Sequence, residues 1–336
     1  MRVRAALVGF AVMMAAGGGT AHAAGGPSPG IALGGTGVTW GALRYVAVPA
    51  SGGTALAQID RRTGTVERFG EIRGLWGLPL VSWNNDVGGI SADGARLVLA
   101  ENPRGSGLLP ARTRFAIVDP VRMRVRSILS LEGAFSFDAI SPDGRWLYLI
   151  QHTSARNITS YSVRVYDFLR HRLQPGAIVD RSEPDERMAG LPVQRVSSAD
   201  GTRAYTLYQK PTGGFFVHAL DTAARKAHCI DLPGMPNNAG RLSLSPDGTR
   251  LLWAHGVRTT VVDTRTLQIV PATNPQSAPA KPRRHHAGGG AGLGPVAVGA
   301  GLTALLVAAG AALAVRRRRP ARGRSGGAAA GAPSGP

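Results

Sequence analysis

Short apolar runs alternating with polar residues fill the middle of this chain. Four times they are broken by one signature: Ser91-Ala92-Asp93-Gly94, Ser141-Pro142-Asp143-Gly144, Ser198-Ala199-Asp200-Gly201 and Ser245-Pro246-Asp247-Gly248. Alternation of period two lines one face of an extended strand with apolar side chains, and no long stretch follows the helical period instead. Each signature therefore reads as a tight turn joining two strands. Strands are expected directly after the turns, at 95–100, 145–151, 202–209 and 249–254. A further apolar strand then ends at Asp119, Asp167, Asp221 or Asp263, before a short turn and a weaker fourth strand. Residues 41–48 and 55–60, followed by Arg61-Arg62-Thr63-Gly64, repeat the later part of this unit without its opening turn. The pattern predicts an all-β chain of about five four-stranded units, spaced about fifty residues apart as the blades of a β-propeller are. A sixth unit is expected only if residues 73–86 form a degenerate blade.

The signature has a conformational logic. Pro142 or Pro246 presets the backbone angle of the first central residue, the aspartate accepts from nearby amides, and glycine takes the positive φ that ends the turn. Asp93, Gly94, Asp143, Gly144, Asp200, Gly201, Asp247 and Gly248 are thus expected to be structural. Ser141-Pro142-Asp143-Gly144-Arg145-Trp146 nearly matches the aspartate box of glycosidases, but it lacks the residue between Asp and Gly. Its carboxylate also stands apart from the oxygen-rich clusters that hold calcium.

The two ends are of another kind. Arg2 and Arg4, an apolar run from 5 to 16 and the small residues Ala21-His22-Ala23 have the three parts of a secretory signal peptide, 1–23. Residues 293–315 carry no charge, long enough as a helix to cross a bilayer, and Arg316 to Arg319 follow. Cationic residues stay on the cytoplasmic side, so the domain at 30–275 is expected outside the cytoplasm. Residues 276–292 read as a Pro/Gly/Ala-rich linker and 316–336 as a basic, disordered cytoplasmic tail.

Charge changes the picture less than its size suggests. Of the formal net of +19, much sits at the ends and in the linker, on Arg2, Arg4, Lys281, Arg283, Arg284 and six tail arginines. What remains is about +8, on arginines scattered singly between apolar positions rather than in a stripe with stacking aromatics. Nucleic acid is therefore not the expected partner, while anionic polymers or lipid head groups fit the same charge. The single cysteine, Cys229, excludes an intrachain disulfide and reads as a small core residue.

With the turns and terminal aspartates in place, residues 36–271 resemble the TolB-type propeller repeat, a relative of the WD-repeat and the YVTN-type surface-layer repeat. The resemblance implies a propeller used as scaffold, as partner-binding module or, in some relatives, as enzyme. It does not choose among them. Within such a blade the signature turns and the turns after the later aspartates share one end of the disc. The connections at the other end vary widely in length, at 73–86, 101–112, 151–161 and 180–191. Variable loops on a rigid scaffold are where binding is usually built, so the site is expected at the long-loop end. Trp76, Trp83, Asn84, Asn85 and Asp86 stand in the first loop, with Asp138, His152, Arg195, Asn238 and Arg241 at strand ends nearby. The sequence carries no nucleophile elbow, no His-Glu-x-x-His and no phosphate-binding glycine loop, and it implies no metal or cofactor. A non-catalytic binding or scaffold module for a protein, peptide or envelope polymer is the expectation. The alternative is a cell-surface hydrolase or lactonase using residues at the channel mouth, such as His152 and Asp138.

Overall fold

The computed structural model describes residues 28–35, 37–102, 109–157, 159–183 and 188–270. The expected signal peptide, linker, apolar span and basic tail lie outside the described residues. Among the described residues no helix is long and apolar enough to cross a membrane.

The alternating runs form strands throughout. After β1 (Ile31–Ala32), the first sheet holds β2 (Val38–Trp40), β3 (Leu43–Ala50), β4 (Gly53–Asp60) and β5 (Val66–Arg73). The second holds β6 (Trp76–Pro79), β7 (Leu97–Glu101), β8 (Arg112–Asp119) and β9 (Arg124–Glu132), with β1 added beside β6. The third is β10 (Ala134–Ile140), β11 (Trp146–His152), β12 (Tyr161–Asp167) and β13 (Arg172–Leu173). The fourth is β14 (Leu191–Ser197), β15 (Arg203–Gln209), β16 (Phe215–Asp221) and β17 (Lys226–Asp231). The fifth is β18 (Arg241–Leu244), β19 (Arg250–His255), β20 (Arg258–Asp263) and β21 (Ile269–Val270). Every neighbouring pair within a sheet is antiparallel, and the five sheets follow chain order, an arrangement consistent with a β-propeller.

Each signature turn is a closed polar unit. The glycine amide donates to the serine carbonyl at 2.8 to 3.0 Å, and the serine hydroxyl donates to the aspartate at 2.5 to 2.6 Å. The same hydroxyl accepts from the amide five residues on, at Arg96, Trp146, Arg203 and Arg250. Serine is needed because one small side chain must donate and accept at once. The later aspartates do the equivalent at the next turn: Asp60, Asp119, Asp167, Asp221 and Asp263 each accept from two amides just downstream.

Packing lies between the sheets. Tyr45, Leu56, Leu78 and Leu99 fill the seam of the first and second, and Phe115, Phe137 and Leu149 that of the second and third. Tyr148, Val163 and Tyr208 fill the next seam, then Leu207, Phe215 and Trp253. Each such side chain removed from water contributes about 1.5–3 kcal/mol. Among the described residues these are the cores, and the outward faces of the first and fifth sheets have no counterpart. Phe69, on the outward face of the first, is 73% exposed.

Residues 73–86 are neither a blade nor one loop. Trp76–Pro79 is buried and forms the first half of the innermost strand of the second sheet, which resumes at Ile90 opposite Leu97. Between them the chain leaves the sheet as a small hairpin closed by Leu80 and Val87. Glycine, proline and asparagine made this stretch read as a loop, whereas Gly77 serves close approach: a Cβ there would stand 2.8 Å from the carbonyl oxygen of Ala32 in β1.

The four glycines of the signature share a positive φ but not an environment. At Gly94 a Cβ would meet the Trp40 ring at 2.3 Å, while at Gly248 it would meet nothing within 4 Å. Gly248→Ala is expected to cost only the left-handed strain, about 1–2 kcal/mol. Gly94→Ala adds an overpacking cost of about 1–3 kcal/mol. Equilibrium urea denaturation of the two variants checks the difference.

Candidate functional site

Two β-bulges aim side chains into the centre. In β10 the register slips between Phe137 and Ala139, and in β14 between Pro192 and Gln194. A bulge turns a side chain out of the ordinary alternation. Asp138 is thereby buried, 2% exposed, and meets the guanidinium of Arg195 through Nη2 to Oδ1. Arg195 also donates through Nη1 to the carbonyl of Asp138 at 2.9 Å and through Nε to the Thr206 hydroxyl at 2.6 Å.

The hairpin at 80–87 reaches across to the same place. Its amides at Trp83 and Asn84 donate to the carbonyls of Pro192 and Val193, so it lies along the free edge of β14. Asp86 accepts from the Arg195 amide at 2.7 Å and from the Ser82 hydroxyl at 2.6 Å. Asn85 sits at φ 63°, a conformation asparagine tolerates in tight turns. The second and fourth sheets, not neighbours in order, are tied together through the centre. Gln194, at the bulge, clamps the fourth sheet to the fifth: its amide donates to Gly240 and accepts from Leu242.

The hairpin and the Asp138–Arg195 pair floor a cavity of about 540 Å³. Its walls are Trp40, Gly88, Gly89 and Phe137, with Ser91, Ala92, Ser197, Ser198 and Gly201 at the signature turns. It therefore opens at the short-turn end. Trp40, 36% exposed, is held at the mouth by its indole N–H to the Ala92 carbonyl at 2.8 Å.

Behind the floor, toward the long-loop end, is a void of about 20 Å³, the size of one water. Asp138, Ser136, His152, Tyr161 and Tyr208 line it. The Ser136 hydroxyl and His152 Nε2 are 2.8 Å apart, while His152 Nδ1 and Asp138 Oδ2 are buried with no hydrogen-bond partner among the described residues. Tyr161, Tyr208 and Phe216 stack beside it with centroids 5.2 Å apart. Burial pushes the Tyr161 and Tyr208 hydroxyls above the ordinary phenol range and the His152 and His218 imidazoles down to about 4.

The expected site residues divide accordingly. Asn85, Asp86, Asp138 and Arg195 meet at the large cavity, and His152 joins Asp138 at the small void. Trp83 and Asn84 are exposed on the hairpin tip, bound to β14 through their amides. Trp76 is 2% exposed in the seam of the first two sheets, its indole N–H on the Arg73 carbonyl. Asn238 and Arg241 line neither space; Asn238 accepts from the Gly240 amide ahead of β18. Trp40, Ser136 and Ser197 were not singled out from the sequence. Trp40 stands just before residues 41–48, where the first unit begins, and that position was the available signal. Among the described residues no group of three or more His, Cys, Asp or Glu gathers as a metal site would.

No protein-family profile and no curated protein matches the chain. Solved structures do. TolB from Acinetobacter baumannii is similar at 16% identity with a TM-score of 0.42, covering 66% of this chain and 49% of that one. The chain thus spans about half the length of that TolB. Hydrazine synthase of Kuenenia stuttgartiensis is similar at 16% identity and TM-score 0.45, covering 74% and 67%. A putative 6-phosphogluconolactonase from Bacteroides fragilis is similar at 15% identity and TM-score 0.40, covering 69% and 67%. The fold is carried by the sheets of this chain itself.

Arg195→Met leaves a buried carboxylate uncompensated and is expected to cost about 3–5 kcal/mol in equilibrium denaturation. The histidines give a pH dependence. The unfolded chain takes up protons near pH 6.5, whereas folded His152 and His218 wait until about 4. Between these values the unfolded state binds more protons, so stability held above pH 6.5 declines as pH falls toward 4. Each histidine changes it by up to about 1.4 kcal/mol per pH unit. Urea midpoints are expected to drop from pH 7 to pH 5, and less steeply in His152→Gln or His218→Gln.

Proposed function

We propose that this chain is an extracytoplasmic, membrane-tethered binding module whose partner, a protein, peptide or polymer segment, enters the central cavity at the short-turn end. The signal-peptide and membrane-span patterns of the sequence support the tether. The observation that carries the binding reading is the cavity: about 540 Å³ is within the range of ligand sites, and it stands open beside an aromatic wall. Its charged floor groups already have partners, Asp138 with Arg195, and Asp86 with Ser82 and the Arg195 amide. Such groups orient a ligand.

A second reading has one observation in its favour. The Ser136–His152 contact, beside the unpartnered Oδ2 of Asp138, suits a hydrolase or lactonase whose imidazole acts as base while neutral. Turnover of a lactone and ester panel by the full chain, abolished in His152→Gln, would replace the binding reading.

Ser197 is exposed at the cavity wall, so Ser197→Trp fills the mouth without touching a core. Calorimetric titration of the full chain with envelope peptides and polymer fragments should yield a ligand whose affinity falls at least ten-fold in Ser197→Trp. The same ligand should be indifferent to Asn238→Ala. Affinity that survives Ser197→Trp unchanged places the partner elsewhere and overturns the reading.

A further inference from the structure

Exposed arginine surrounds the end at which the cavity opens. At the short-turn end, the turn after each capping aspartate presents exposed arginine: Arg61 and Arg62, Arg122, Arg170, Arg225 and Arg265, one or two per sheet. A further arginine follows every signature turn, at positions 96, 145, 203 and 250. The carboxylates of this end are engaged in their own turns, bound to backbone amides and serine hydroxyls. Arg61, Arg62, Arg225 and Arg265 have no ion-pair partner among the described residues. Other arginines of this end are paired, Arg122 and Arg126 with Asp119, Arg145 and Arg170 with Asp167, and Arg203 with Asp221. The long-loop end has pairs of its own, Arg112 with Glu132, Arg114 with Glu101 and Lys210 with Asp231, and exposed arginines at 73, 241 and 258, while the large cavity opens at the short-turn end.

Several guanidinium groups are held in place before anything binds. Trp146 lies between Arg145 and Arg225, each 4.4 Å from its ring centroid, and Arg96 stands 4.0 Å over Phe168. Pre-set guanidinium forks lose less entropy on meeting a phosphate or carboxylate. The arginines also border the cavity. Arg61 donates to the carbonyl of Gly41 at 3.0 Å, Gly41 and Arg203 line the mouth, and Arg225 follows the lining residue Thr222.

We propose that the partner of the central cavity is a polyanionic chain, carrying phosphodiester or carboxylate groups at intervals, that docks across the arginine-bearing end with a segment in the mouth. This rests on the cavity being the binding site. A flexible chain can follow charges down into a concavity, which the flat surface of a bilayer would span. Val121 and Leu169, 57% and 70% exposed at turn tips of the same end, make anionic vesicles the competing arm of the test.

The full chain in detergent micelles is titrated with long-chain polyphosphate, polygalacturonate, neutral dextran and anionic phosphatidylglycerol vesicles. Both polyanions are expected to bind and dextran is not, with affinity falling at least ten-fold between 50 and 300 mM salt, roughly as counterion release requires. Changing Arg61, Arg62, Arg225 and Arg265 together to Ser should weaken binding at least ten-fold. Changing them to Lys, which keeps the charge, should retain binding within about three-fold. Arg112→Ser with Arg258→Ser, at the other end, should change nothing. Equal affinity for polyphosphate and dextran, an unaffected Ser variant, or binding to vesicles alone overturns the proposal. An uncharged ligand lost in Ser197→Trp while polyanions fail to bind would sink this inference and leave the cavity reading standing. Arginine-dependent polyanion binding that ignores Ser197→Trp would overturn both, because the proposal seats a segment in the mouth.

Discussion

A sheet that is apolar on both faces cannot stand alone in water, and the middle three sheets of this protein are of that kind. β10 is buried along its whole length, and β11, β12, β15 and β16 nearly so. Each must be covered on two sides, and with short connections the cover comes from the preceding and following sheets in the chain. The sequential stack and its inward convergence follow. At the two ends of the series the demand falls away: β5 is mostly exposed and β21 is a two-residue strand at an open face.

Convergence creates a second demand at the centre. Innermost strands bring unpaired backbone edges and polar side chains into a space with little room for water. The chain answers with an excursion, the hairpin at 80–87, whose amides serve β14 and whose Asp86 serves Arg195. The bulge at Asp138 supplies a carboxylate for the Arg195 guanidinium, and that at Val193 a carbonyl for the Asn84 amide. Gln194, reaching both Gly240 and Leu242, does for the fourth and fifth sheets what a ladder would do. The cavity is the space left above this polar floor.

Repetition also separates the two ends chemically. Because strands alternate in direction, every signature turn and every turn after a capping aspartate falls on one end, and each of these pairs an aspartate with an arginine a few residues on. Exposed arginine therefore recurs around that end, and the cavity opens beside it. The Ser136–His152 contact lies on the other side of the floor, in a void sized for one water rather than for a substrate of ordinary size.

The sequence by itself determined the strands, the turns and their order, because these rest on short-range chemistry. Period-two alternation fixes which side chains share a face, and Ser, Asp and Gly within four residues make their own hydrogen bonds wherever the chain goes. It also marked Asp86, Asp138 and Arg195 as residues of interest without saying that they meet. Only the tertiary structure decided that Trp76 is a core residue, that residues 73–86 divide into a strand and a bridging hairpin, and that the large cavity opens beside the signature turns. Those outcomes depend on bulges and on contacts between sheets far apart in the chain. A one-residue slip in register leaves no trace in the apolar pattern, yet it sends a carboxylate to an arginine 57 positions away.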